Sequence, residues 1–174
     1  MTSGSFKSEV EEFSKNVYER YMRLMPADDL TLIVLKGHLL VEEQMNKFIE
    51  ACMMDEAAEV FAKLKLSFRW KLRFARKLHR PKAGYPSAGD TFASVWKAVD
   101  ELNNLRNDIA HNAEVNGLEQ RCAEFVNKRG PQPATDMGAD APGRLKVAIG
   151  DIVAAVAGYR FAREVGVGER HMTL

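Results

Sequence analysis

The stretch that decides the fold is PADDLTLIVLKGHLLVEEQMNKFIEACMM, residues 26–54. Pro26 stops whatever helix precedes it. Asp28 or Asp29 then stands where an N-cap belongs, its carboxylate able to accept a backbone N–H of the first turn. From there to about Met53 the apolar residues follow the helical period rather than alternating. On a helical wheel Asp29, Lys36, Glu43 and Lys47 fall on one narrow strip, and the remaining surface is apolar enough to face protein. A helix covered on nearly all sides needs several neighbours, so this one belongs at the centre of a bundle.

The rest of the chain supplies those neighbours. One amphipathic helix is expected over Phe6–Met25 and another over roughly Asp55–Leu78, with a break near Ala62 and an end before Pro81. HRPKAGYPSAGD, residues 79–90, is a loop whose last residue, Asp90, is placed to cap a helix running to His111. A short helix follows over about Gly117–Lys128, and GPQPATDMGADAPG, residues 130–143, is the longest loop. The last helix, RLKVAIGDIVAAVAGYRFAREV at 144–165, repeats Leu145, Ile149, Ile152, Val156 and Tyr159 on one face. Its Ala and Gly content permits close helix approach. No period-2 segment and no internal repeat interrupts this pattern. The expected fold class is therefore all-α: a compact bundle of about five to six helices, one domain over 1–174.

With 46% hydrophobic and 28% charged residues, the composition is that of a globular domain. The start, MTSGSFKSEVEEFSKN, lacks the basic and apolar regions of a signal peptide, and no apolar run approaches the roughly 20 residues that span a bilayer. A cytoplasmic protein without membrane association is expected. Cys52 and Cys122 have neither zinc-ligand nor redox spacing, so no metal or cofactor is implied.

Charge is unevenly placed. Between Glu59 and Asp90 there is no acidic residue but nine cations, so a chain of net charge +1 carries −8 elsewhere. Lys65, Arg69, Arg73, Arg76 and Arg80 line up as one ridge, with no acid three or four residues away to neutralise it. Trp70 and Phe74 lie off the core stripe of Leu64, Phe68, Leu72 and Ala75. Cations flanked by aromatics suit a polyanion such as RNA. The alternative is a solvated helix face paired with acids elsewhere.

A second polar constellation ends the helix over 90–111: LNNLRNDIAHN, residues 102–112. Arg106 shares a stripe with Val95, Val99, Leu102 and Ile109, so its stem starts on a buried side, where a guanidinium needs a partner. His111 stacks over Asn107 at the helix end. Such a corner is either a polar helix end favoured by the helix dipole or a small catalytic group. His38 and Glu42, one turn apart on the central helix, are either a core histidine satisfied by the glutamate or supports that orient Arg106 across the bundle.

The string LNNLRNDIAHN, preceded by TFASVWKAVDE and late in an all-helical chain, resembles the R-x4-6-H motif of the HEPN superfamily, with a polar residue, Asn107, directly after the arginine. LKGHLLVEEQMNKFIEA, residues 35–51, is similar to the second helix of several bacterial members. The resemblance implies a HEPN-like bundle with its core over about 28–165 and the helix at 6–25 as an addition, a homodimer, and a metal-independent endoribonuclease that leaves a 2′,3′-cyclic phosphate. Arg106, His111 and Asn107 would be its catalytic residues, and RNA its substrate. It further implies the toxin of a toxin–antitoxin or phage-defence system, with an antitoxin or nucleotidyltransferase-type partner protein. The alternative is a non-catalytic regulator or interaction module like the mannitol-repressor proteins, in which the same residues organise the bundle.

Overall fold

The computed structural model describes the backbone of residues 3–79, 88–111, 117–129 and 140–171, and the side chains of 6–79, 94–111, 117–129 and 140–165. Arg80, Asn112, the Asp90 side chain and most of the loops expected at 79–90 and 130–143 lie outside these. Among the described residues there are seven α-helices: α1 Ser3–Leu24, α2 Leu30–Ala51, α3 Asp55–Lys63, α4 Phe68–Leu78, α5 Ala88–His111, α6 Leu118–Asn127 and α7 Ala141–His171.

Local chemistry accounts for most boundaries. α1 stops before Pro26, and the Leu32 N–H donates to Asp29 Oδ1 at 2.9 Å, closing the N-terminus of α2. The break expected near Ala62 lies a few residues later, between Lys63 and Phe68, so 55–78 is two helices. Leu64 and Ser67 both adopt extended backbone, and the Ser67 carbonyl then accepts the Trp70 and Lys71 N–H groups as α4 begins. This break raises the count above the five to six expected. α7 starts earlier than expected because Asp140 Oδ1 accepts the Gly143 N–H at 2.8 Å, while Pro142 sits in the first turn, where its missing N–H costs no hydrogen bond.

α2 packs against α7, α5, α4 and α3, and α1 lies along α7. Ile33, Val34, Val41, Met45 and Ile49 of α2 meet Leu145, Ile149, Ile152, Val153 and Val156 of α7 and Val99 and Leu102 of α5 in one buried cluster that also takes in Tyr21 of α1. The close approach that the α7 glycines permit is used inside the chain. A Cβ on Gly150 would lie 2.6 Å from the Tyr18 ring of α1, and one on Gly37 of α2 would lie 2.8 Å from Ile149.

One sequence expectation fails on α2. Leu32 and Leu39 are exposed, Leu39 by 64%, beside the polar strip that was to be the helix's only solvent face. No described helix is long and apolar enough to cross a membrane.

Candidate functional site

The C-terminal end of α5 carries the polar corner. Val99 and Leu102 are fully buried, and one turn further along the same stripe the Arg106 side chain emerges half-buried. Its Nη1 donates to Asn107 Oδ1 at 3.2 Å, which fixes one edge of the guanidinium. His111 is the last residue of the helix and its side chain is exposed. Arg121 of α6 reaches Asp108 at 2.7 Å and ties the following helix to this end of α5.

Behind the corner, His38 of α2 is 6% exposed and its ring lies against Phe68, centroids 4.2 Å apart. Asn103 Oδ1 can only accept, so the ring proton sits on Nε2 and is donated to it at 3.2 Å. Burial lowers the His38 pKa. The Asn103 bond and the Glu42 charge oppose that shift, and the Arg106 charge adds to it. Glu42 is held elsewhere, its carboxylate 2.6 Å from Lys71 Nζ of α4. The pairing of His38 with Glu42 weighed from their spacing is therefore replaced by two cross-helix bonds, His38 to α5 and Glu42 to α4. Arg106 is linked to His38 by charge, and its orienting hydrogen bond comes from Asn107.

The basic ridge is rearranged. Lys65 lies in the linker before α4 and so off the helix that carries the other cations. Arg76, though exposed, is drawn to α5: its Nη2 donates to the Trp96 carbonyl at 3.0 Å and approaches Asp100 Oδ2 at 3.4 Å. The acid that the ridge lacked within its own helix comes from a neighbour 24 residues away. Arg69 and Arg73 stay exposed, joined by Lys77. Trp70 and Phe74 are exposed as well, with the Arg73 guanidinium 4.9 Å from the Trp70 ring centre.

Sequence reasoning placed His79 only at the start of the loop over 79–90. Its ring contacts Phe48, Trp96 and Tyr159, and its Nδ1 accepts the Trp96 indole N–H at 2.7 Å. Burial pushes its pKa down to about 4. A cavity of about 330 Å3 lies between α5 and α7 near the end of α6. On its wall Arg129 pairs with Glu101 at 2.8 Å and stacks on Phe125 at 3.9 Å. Among the described residues no three His, Cys, Asp or Glu side chains group as metal ligands. Comparison with protein-family models, with curated proteins and with solved structures gives no match.

Proposed function

We propose that the end of α5 is the active corner of a metal-independent endoribonuclease of HEPN type. The observation that supports this is an exposed His111 imidazole five residues beyond a half-buried Arg106 whose guanidinium is held by Asn107. The chemistry follows from these groups. The substrate's 2′-oxygen attacks the adjacent phosphorus while the bond to the 5′-oxygen breaks, leaving a 2′,3′-cyclic phosphate and a 5′-hydroxyl. His111 moves the proton, taking it from the 2′-hydroxyl or giving it to the departing 5′-oxygen. Arg106, permanently charged and forked, stabilises the extra negative charge on the phosphorane.

A lone imidazole would have to act first as base and then as acid, and a homodimer that brings two such corners together, as the resemblance implies, supplies both groups at once. The exposed leucines of α2, Leu32 and Leu39, are seven residues apart on one flank and supply an apolar surface for a second copy. Leu39→Asp is then expected to convert a dimer into a folded monomer, seen as a halved mass by light scattering. A wild-type chain that is monomeric at micromolar concentration removes the two-fold site. The toxin or defence role, and a restraining partner protein, rest on the resemblance of the α5 motif.

Purified chain, incubated with end-labelled single-stranded RNA in excess chelator, is expected to yield cyclic-phosphate ends. Arg106→Ala and His111→Ala should each abolish them. Cleavage that requires added magnesium, or that survives His111→Ala, overturns the mechanism. A second reading, a non-catalytic module, is favoured by the Arg106–Asn107 bond, which holds the guanidinium within α5 without any substrate. Absence of cleavage by a folded dimer selects it.

A further inference from the structure

We infer that the exposed face of α4 is a stacking platform for single-stranded RNA, with bases on Trp70 and Phe74 and phosphates on Arg69, Arg73 and Lys77. The inference rests on the ribonuclease reading for its choice of RNA, and it names the form in which the substrate is held.

The geometry of α4 separates two stripes. At about 100° per residue, Arg69, Arg73 and Lys77 occupy one arc of about 80°, and Trp70 and Phe74 the arc beside it. Leu72 and Ala75 are buried on the opposite side. Successive members of each stripe are four residues apart, a rise of about 6 Å, which suits successive nucleotides of an extended strand. None of the three cations has an ion pair among the described residues, whereas Lys71 and Arg76 of the same helix are drawn to Glu42 and Asp100. The helix thus sorts its cations into structural ones facing α2 and α5 and solvent-facing ones beside the aromatics.

The aromatics are also placed for contact. Trp70 is 54% exposed and Phe74 41%, an unfavourable position for large rings unless something covers them. Phe74 is supported edge-on by Phe61 of α3, centroids 6.3 Å apart, and Arg73 stands over Trp70. Two supported rings beside three cations offer both contacts a single strand makes, π-faces for unpaired bases and charge for its phosphates. A duplex hides its base faces and would use the cations alone. The absence of any acid between Glu59 and Asp90 selects a polyanionic occupant and opposes a symmetric contact with a second copy of this face.

The two tryptophans give the readout, because Trp96 is 4% exposed and Trp70 is the one a ligand can reach. The probe is a 12-nucleotide 2′-O-methyl oligoadenylate, which cannot be cleaved, added to the full chain. Quenching of tryptophan emission is expected. It should vanish with Trp70→Phe, and affinity, read by fluorescence anisotropy of an end-labelled oligonucleotide, should fall about tenfold or more with Trp70→Ala. Arg69→Ala and Arg73→Ala should each flatten the log–log salt dependence by about 0.7. A duplex of the same length should not quench. No quenching by the oligonucleotide, or an unchanged affinity in Trp70→Ala, overturns the platform even if RNA is cleaved. Quenching by an acidic amphipathic peptide with none by the oligonucleotide overturns it in favour of a protein partner. Binding without cleavage of natural RNA leaves the platform standing and removes the ribonuclease.

Discussion

His38 of α2 donates to Asn103 of α5 across 3.2 Å, and that bond lies one helical turn before Arg106. Both residues are buried, so the pair pins the central helix to the helix that carries the candidate site at a point where neither group can turn to water. Phe68 covers the ring from α4, so three helices meet at this histidine.

Asn103→Ala should therefore cost more than a surface change. It leaves the His38 ring N–H buried without its acceptor, and an unsatisfied buried donor costs about 1–3 kcal/mol. Urea unfolding is expected to show a lower midpoint with an unchanged slope. A midpoint equal to wild type would mean that the ring finds another acceptor.

Gly150→Ala tests the α1–α7 contact. In an isolated helix the change would stabilise by about 1 kcal/mol. Here the new Cβ would lie 2.6 Å from the Tyr18 ring and 3.1 Å from Tyr21, so two aromatic side chains would have to move. Overpacking of this kind costs about 1–3 kcal/mol, and the net sign should be destabilising. A rise in the thermal midpoint would show that α1 can shift outward freely.

The His79 cluster predicts a pH dependence. The folded ring is held neutral down to about pH 4, whereas in the unfolded chain it titrates near 6.5. Above 6.5 both states are neutral and the contribution is complete. Between 6.5 and 4 the unfolded chain binds a proton that the folded chain refuses, so stability falls as pH falls. Protonating Nδ1 would also remove the acceptor for the Trp96 indole. His79→Phe should flatten the loss of stability over this window in chemical denaturation. His38, also held neutral by burial, and Asp151, whose carboxyl burial pushes up, contribute to both proteins, so the difference between the two curves isolates His79. Parallel curves would assign the acid sensitivity to other groups.

What the sequence makes legible here is local. The Asp29 cap, the stop before Pro26, the buried face of α7 and the half-buried stem of Arg106 each follow from residues within a turn or two of the feature. Partners from distant segments were not legible. Arg76 looked like a free cation because Asp100 and the Trp96 carbonyl come from α5. His38 seemed to need Glu42 because nothing in α2 announces Asn103, 65 residues on. The break expected near Ala62 lies at Leu64–Ser67, with no proline or glycine to fix its place, and it alone separates Lys65 from the α4 cations. Leu32 and Leu39 read as core because hydropathy cannot distinguish a buried leucine from an exposed one.

The pair Arg106 and His111 carries the last prediction. If both act on one phosphate, removing either should abolish nearly all cleavage, and Arg106→Ala combined with His111→Ala should be hardly worse than either alone, because groups acting as a unit are strongly non-additive. Arg106→Lys discriminates charge from shape. It keeps the positive charge that bears on His38 but loses the planar fork and the bond to Asn107, so cleavage should remain low while the urea midpoint moves little. Asn107→Ala should leave the guanidinium in place but unoriented, giving reduced cleavage with intact folding. A purely structural role makes the opposite forecast: Arg106→Ala and Asn107→Ala would lower the unfolding midpoint, and His111→Ala, at an exposed helix end, would change neither stability nor activity. Measuring rate and midpoint on the same five variants decides between the two, since a catalytic corner separates those quantities and a structural one moves them together.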